Sequence, residues 1–289
     1  MTKNNFYKDK LILGDTLSEL KTLPDNLVDV GITSPPYNKQ EKNKGWLVKN
    51  VVYSDFRDKI PEEKYQENQK TVLNEIYRIT KPGGSFFYNH KIRWENGDIY
   101  HPMDWLRGTK WVIRQEIIWD RMIAANIRGW RFWQLDERIY WLQKPKTQDN
   151  RKGKELKSKH ALLGSIWRFP PERENPHPAP FPLTLPVRII CSVLDDSESG
   201  LVLDPYIGSG TTAVAAKLLG FDYVGIDSSK EYLHYAEKRI NNCINEKEKL
   251  LQELEKHQVM RTFADRKKEG GFVGKHRNVI GLPATLFGV

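Results

Sequence analysis

Seven short runs along the chain carry apolar, β-branched or aromatic residues at the density of buried strands: LILG (11–14), VDVGIT (28–33), SFFYN (85–89), EIIW (116–119), RIYWL (138–142), LVLD (201–204) and YVGI (223–226). Helical periodicity falls between some of them. In EEKYQENQKTVLNEIYRIT (62–80), Tyr65, Val72, Leu73, Ile76 and Ile79 recur at three- and four-residue steps, and KPGG (81–84) then ends the pattern. TTAVAAKLL, after a glycine-rich turn, is a second helix. Strand–helix alternation with strands apolar on both faces predicts an α/β domain, a mostly parallel sheet covered on both sides.

Three segments break the pattern. Residues 39–58 are polar with scattered aromatics and read as a loop. Residues 144–160, KPKTQDNRKGKELKSKH, hold seven Lys/Arg against two Asp/Glu. A charged helix is expected from about Lys230 to Gln258, with Tyr232, Tyr235, Ala236, Ile240 and Ile244 as its apolar stripe. It leads into a Gly-rich basic tail, DRKKEGGFVGKHRN. No internal repeat is evident.

At 289 residues, 39% hydrophobic and 11% aromatic, the chain can bury a large core. No apolar run approaches a membrane span, and MTKNNFYKDK lacks the apolar core of a secretory signal. Cys191 and Cys243 form neither a metal-ligand pair nor a disulfide framework. A cytoplasmic, reducing location is the simplest fit, with no membrane partner. The balance of 46 Lys+Arg against 37 Asp+Glu, a net charge of +9, favours an anionic partner such as nucleic acid.

Two stretches carry candidate chemistry. In VDVGITSPPYNK (28–39) a strand stops at two prolines, which lack N–H donors and fix φ, and an aromatic ring follows. In LVLDPYIGSGTTAVAAKLLGFDYVGID (201–227) a strand enters Gly208-Ser209-Gly210, a helix follows, and a second strand ends at Asp227. Glycines permit a tight turn and close ligand approach, and an acid at that strand end suits a ribose diol. GSGTTA also satisfies the dinucleotide fingerprint, so an NAD-dependent oxidoreductase is one reading of the turn. No Lys-Ser or Lys-Thr follows the glycines, which excludes a Walker loop. Charge alone would also suit a non-catalytic DNA-binding protein.

Taken together, TSPPY and DPYIGSGTT resemble the β-class DNA amino-methyltransferases, which use S-adenosyl-L-methionine to methylate exocyclic base nitrogens. LGDTLSEL (13–20), RITKPGGSFFYN, DERIYWLQK (136–144) and HPAPFP (177–182) are similar to the family's minor motifs, in β-class order, over about residues 10 to 240. The resemblance implies a Rossmann-like fold with circularly permuted motifs: a seven-stranded, mostly parallel sheet with a final antiparallel strand. It implies a catalytic domain over 1–240 with a target-recognition insert at 145–176, followed by a C-terminal helix and basic tail at 241–289. Matched position by position, Asp204, Tyr206, Gly208 and Gly210 would hold the methionine part of the cofactor. Asp227 would take the ribose hydroxyls, and Asp15 and Phe181 would shape the rest of that pocket. Ser34, Pro35, Pro36 and Tyr37 would hold the target base. Lys146, Arg151, Lys152, Lys154, Lys157 and Lys159 would engage DNA phosphates.

The proline turn suits such chemistry. The amino lone pair is delocalised into the base, and acceptors on its two N–H bonds favour the pyramidal, nucleophilic geometry. Ser34 Oγ and the Pro35 carbonyl can supply them, fixed in advance by the diproline. A serine hydroxyl is no base at neutral pH, so orientation and electrostatics are expected, with the proton lost to water. Tyr37 offers a stacking face to a base rotated out of the duplex. Neither cysteine follows a proline, which argues against ring-carbon methylation through a thiolate. In this family a serine before the prolines goes more often with N4-cytosine, aspartate or asparagine with N6-adenine; the adenine alternative stays open. The partners implied are double-stranded DNA and a cognate restriction endonuclease, with the chain a monomer or homodimer. Most tryptophans fall between Trp94 and Trp167, and the rings of GWRFWQLDERIYWLQK are expected to be mainly core.

Overall fold

The computed structural model describes residues 6–38, 59–124, 129–149, 151–153, 156, 164–172, 175, 180–194, 197–257 and 268. The elements are β1 (Lys10–Leu13), α1 (Thr16–Thr22), β2 (Val28–Thr33), α2 (Glu62–Ile79), β3 (Thr80–His90), β4 (Arg93–Glu95), β5 (Asp98–Tyr100), α3 (Met103–Leu106), β6 (Val112–Asp120), β7 (Asp136–Gln143), β8 (Ile166–Arg168), α4 (Thr184–Leu194), β9 (Leu201–Asp204), α5 (Thr211–Leu218), β10 (Asp222–Asp227), α6 (Lys230–Asn241) and α7 (Lys247–His257).

Eight of these strands form one sheet in the order β1-β10-β9-β2-β3-β7-β6-β8. All seven expected strands are in it. The eighth, β8, pairs parallel to β6 and lies inside the segment assigned to target recognition. At three residues it is too short to show a period, which is why the pattern missed it. Only β7 runs against its neighbours β3 and β6, and it sits between them rather than at the sheet's edge. A small hairpin of β4 and β5 was also unforeseen; Asn96 and Gly97 both have positive φ (53° and 92°), as a tight two-residue turn needs.

The sheet's two faces bury separate clusters. Val30, Ile32, Phe87, Ile117, Ile139 and Val202 pack beneath α4 to α7. Phe86, Tyr88, Tyr140, Leu142, Leu203 and Ile226 pack beneath α1, α2 and α3. Strand alternation explains the split between Phe86 and Phe87. Gly31 is small for a reason: a Cβ there would lie 2.4 Å from Phe86 Cδ2. Helix α2 buries Tyr65, Val72, Leu73, Ile76 and Ile79, the stripe its period predicts. Its last carbonyls receive Lys144, whose Nζ donates to Tyr77 O (2.9 Å), Arg78 O (3.2 Å) and Thr80 O (2.6 Å).

The expected single C-terminal helix is broken. Asn242 leaves helical geometry (φ −104°, ψ 20°), and a 3₁₀ turn, Cys243–Glu246, separates α6 from α7. Ala236 and Ile240 are buried as expected, but the break turns Ile244 out to solvent. Helix α7 returns to the core, where Leu250 is buried and Glu253 pairs with Arg188 of α4 inside the protein.

Candidate active site

Strands β1, β10, β9 and β2 are parallel neighbours, so their C-terminal ends and the loops after them share one edge of the sheet. That edge gathers both informative stretches. Asp204 ends β9 and is 1% exposed. Its Oδ1 accepts from Thr33 Oγ1 (2.8 Å) and from the Tyr206 amide (3.1 Å), and its Oδ2 from Thr212 Oγ1 (2.6 Å). Burial pushes its pKa up to about 7, against the opposing pull of those donors. Gly208 and Gly210 both adopt positive φ (48° and 82°). Gly210 is also pressed against α6, where an added Cβ would lie 2.9 Å from Ala236 Cβ. Arg239 of α6 braces the turn through Ser209 O (3.2 Å) and Thr211 Oγ1 (2.8 Å).

Asp227 ends β10, and its carboxylate accepts from Gly208 N and Ser229 N, each at 2.9 Å. Burial raises its pKa. Asp15 begins α1 as its N-cap, accepting from Ser18 N (3.0 Å), and is joined to the same corner by the Gly14 N to Asp227 O bond (3.0 Å). Tyr206 lies half-buried in the glycine turn, and burial moves its phenol upward from the ordinary value.

The proline turn follows β2 directly. Pro36 O accepts from Tyr65 Oη (2.8 Å), which ties the turn to α2. Ser34 and Tyr37 are half-buried and their hydroxyls are 2.6 Å apart. The Tyr37 ring packs against His90, with centroids 4.5 Å apart. Asn38 (φ 57°) holds the departing chain by receiving Ile60 N (2.8 Å) and donating to Ile60 O (3.0 Å).

Beneath Tyr37 lies a buried charged group that the sequence reading did not name. Glu137 of β7 accepts from Tyr37 Oη (3.0 Å) and Asn89 Nδ2 (2.7 Å), and pairs with Lys91 (3.0 Å) and Arg121 (3.1 Å). Burial alone would raise its pKa, but Lys91 and Arg121 hold it down to about 2. The signals were present: a polar Asn-His pair ending the apolar run SFFYNH, and an acid next to the apolar run of β7.

The proposed cofactor residues Asp15, Asp204, Tyr206, Gly208, Gly210 and Asp227 therefore come together at one corner, with Ser34, Pro35, Pro36 and Tyr37 beside them. Phe181 lies in the core cluster with Leu183, 8% exposed. Lys146, Arg151 and Lys152 are exposed but do not join that corner: they follow the C-terminal end of β7, which is antiparallel to β3, and Lys146 lies against Gly83 where β3 begins. Lys154, Lys157 and Lys159 lie outside the described residues, as do 39–58 and most of the tail. The expectation for the aromatic cluster needs correcting. Tyr140 and Trp141 are core, but Trp130, Phe132 and Trp133 are exposed, Phe132 at 99%, because β7 begins only at Asp136 and GWRFWQL is loop. Among the described residues no group of His, Cys, Asp and Glu could hold a metal ion, and no helix is long and apolar enough to cross a membrane.

Comparison with known proteins agrees with this geometry. Residues 28–238 match the family model described as DNA methylase, of the N6/N4 type. The chain is 31% identical over 259 residues to the type II methyltransferase M2.DpnII of Streptococcus pneumoniae, covering 83% of this chain and 93% of that protein. It is 28% identical over 261 residues to M.BglII of Bacillus subtilis, covering 80% and 68%. Among solved structures, the cytosine-N4-specific PvuII DNA methyltransferase has the same fold (TM-score 0.63, 17% identity, 83% of this chain and 92% of that one). So does M1.HpyAVI in its complex with SAM (TM-score 0.53, 22% identity, 80% and 98%). A proline turn bonded to a glycine turn at one sheet edge, with the family match running through both, identifies the chain as a member of the N6/N4 DNA methylase family, the DNA amino-methyltransferases.

Proposed function

We propose that this chain is a site-specific DNA methyltransferase of a restriction-modification system, acting on the exocyclic N4 amine of a cytosine rotated out of the duplex, with S-adenosyl-L-methionine as donor. The observation that carries the reading is the Thr33–Asp204 bond, which sets the base-holding turn directly beside the glycine turn.

The residues present fit the cofactor. Asp227 accepts the Gly208 N–H at Oδ2 and the Ser229 N–H at Oδ1, and a carboxylate with about four lone-pair sites keeps acceptor capacity for a ribose diol. The positive-φ glycines bring backbone within reach of the methionine part, framed by Asp204 and Tyr206, with Asp15 at the adjoining corner. Phe181, buried in the core cluster, would shape the rest of that pocket. When bound, S-adenosylmethionine supplies a methyl group on a positively charged sulfur.

The chain's own part is to hold and orient. Ser34 Oγ and the Pro35 carbonyl would accept from the target amine, drawing its lone pair out of conjugation. Tyr37, backed by His90, is the platform for the extruded base; stacking returns about 1–3 kcal/mol per base against an extrusion cost of a few kcal/mol. Ser34 removes no proton, since its pKa is too high, and the proton leaves to water after transfer. Lys146, Arg151 and Lys152 would neutralise phosphates.

Ser34 ahead of the diproline is the feature behind the choice of cytosine. Digestion of DNA methylated by the protein should release N4-methylcytosine; N6-methyladenine alone would move the target to adenine. S-adenosylhomocysteine should raise the melting temperature where NAD does not, because only a ligand that binds the folded state stabilises it.

A further inference from the structure

The proposed chemistry gives Ser34 the work of an acceptor, yet a hydroxyl can equally donate. If Ser34 pointed its hydrogen at the target amine, it would bond to the nitrogen lone pair, the electrons that must form the new N–C bond. Something has to set which way that hydrogen points.

We infer that Glu137 is the positioning residue that does so: by accepting the Tyr37 hydroxyl hydrogen it obliges Tyr37 to accept that of Ser34, leaving Ser34 lone pairs to face the target amine. This deepens the amino-methyltransferase reading and rests on it.

The polarity follows from the bonds. An ionised carboxylate can only accept. Glu137, 7% exposed at its side chain, has Lys91 and Arg121 on Oε1, while Oε2 faces Tyr37 Oη at 3.0 Å and Asn89 Nδ2 at 2.7 Å. Tyr37 has one hydroxyl hydrogen, and it goes to Glu137. Its oxygen then receives Ser34 Oγ–H over 2.6 Å and Asn89 Nδ2 over 3.0 Å; the same amide reaches Ser34 Oγ at a longer 3.4 Å, which still leaves that oxygen a lone pair for the amine. Asn89 is oriented by the same carboxylate, since its flipped amide would set oxygen against oxygen at 2.7 Å. The ordering starts at one buried ion and passes outward through two hydroxyls. Against the opposing effect of burial, Lys91 and Arg121 keep Glu137 ionised at any working pH, with its pKa held down to about 2.

Two variants test this. Tyr37→Phe keeps the ring and deletes the relay. Glu137→Gln keeps the shape but, with its carbonyl drawn to Lys91 and Arg121, turns an amide donor toward Tyr37 and reverses the chain. Single-turnover methylation at saturating DNA and S-adenosylmethionine should fall about tenfold to a hundredfold in each, with the dissociation constants of both ligands nearly unchanged. Because Glu137 acts through Tyr37, adding Glu137→Gln to Tyr37→Phe should cost no more than about threefold further. Should Glu137→Gln fail to fold, Lys91→Gln with Glu137→Gln removes one of the two stranded cations and restores the wild-type net charge of the cluster, and the same loss is expected. A Tyr37→Phe enzyme at the wild-type rate overturns the inference, as does an equal penalty for Glu137→Gln in both backgrounds. Either result in an active wild-type enzyme leaves the methyltransferase reading intact, whereas a wild-type protein that methylates no DNA removes that reading itself.

Discussion

The Thr33 hydroxyl donates to Asp204 Oδ1 over 2.8 Å, joining residues 171 positions apart at the ends of adjacent strands. Both groups are buried, so the bond is shielded from water and fixes the spacing between the two turns. Thr33→Val keeps the shape and removes the donor. It should destabilise the fold by about 1–3 kcal/mol and weaken S-adenosylhomocysteine binding more than a matched change far from this edge. Urea denaturation and calorimetric titration read the two effects. Unchanged binding with reduced stability would confine the bond to a structural role.

Asp204 also sets a pH dependence. Folded, it keeps its proton to about 7; unfolded, it releases it near the ordinary 3.8. Between those values the folded chain holds the extra proton, so stability is highest at the acid end and declines as pH rises from about 4 to about 7. The slope from this one group is at most about 1.4 kcal/mol per pH unit. Asp227, also shifted upward by burial, adds in the same sense. Asp204→Asn should flatten most of the decline between pH 5 and pH 8 in denaturation series. An identical slope in both proteins would mean that Asp204 is already ionised at pH 5.

Much of this edge could be read from residues alone, and the reason is local. Strand, proline turn, glycine turn and terminal acid are each short-range patterns, and parallel strands put their loops on one side. What escaped was set by distant pairing. Glu137 lies about a hundred residues from Tyr37, and nothing in DERIYWLQ distinguishes a buried ion from an exposed one until β7 is placed against β3. The short β8 pairs with β6 with Trp167 buried in the core, an arrangement three residues of sequence do not announce. The C-terminal helix looks continuous in sequence because its stripe hardly weakens at Ile244; the break at Asn242 comes with a bidentate Arg239–Glu246 pair (2.6 and 2.8 Å) that folds the turn back on itself.

Helix α7 carries its own consequence. Arg188 and Glu253 face each other with about 6% of each side chain exposed, and the Arg188 guanidinium lies 4.8 Å from the Phe169 ring centroid. Removing one member of a buried pair costs about 3–5 kcal/mol, since the other charge stays behind in a dry site. Glu253→Gln should therefore lower the melting temperature sharply by loosening α7 from α4. Methylation per folded molecule should hold at temperatures below the transition. A folded but inactive Glu253→Gln protein would instead tie α7 to the chemistry.

Two exposed surfaces should contribute to DNA binding in different ways, the rings beside the proline-turn edge and the cations at the opposite end of the sheet, where Lys146 lies against Gly83 at the start of β3. Lys146, Arg151 and Lys152 offer charge. Each phosphate they neutralise releases a counterion, so replacing all three with Gln should lower the slope of log affinity against log salt by about 0.9 per lost contact, whatever the DNA sequence. Trp130, Phe132 and Trp133 offer rings on the β6–β7 connection, whose first residue, Arg121, pairs with Glu137 at the base of the site. Rings held in water beside a site proposed to take up an extruded base have a use if they fill or brace the opened stack, and that contact carries no charge. Replacing them with Ala should weaken binding to intact duplex while leaving the salt slope unchanged. The loss should shrink on DNA whose target base is mispaired, where less stacking has to be broken. Equal losses on paired and mispaired targets would reduce the rings to a general contact surface.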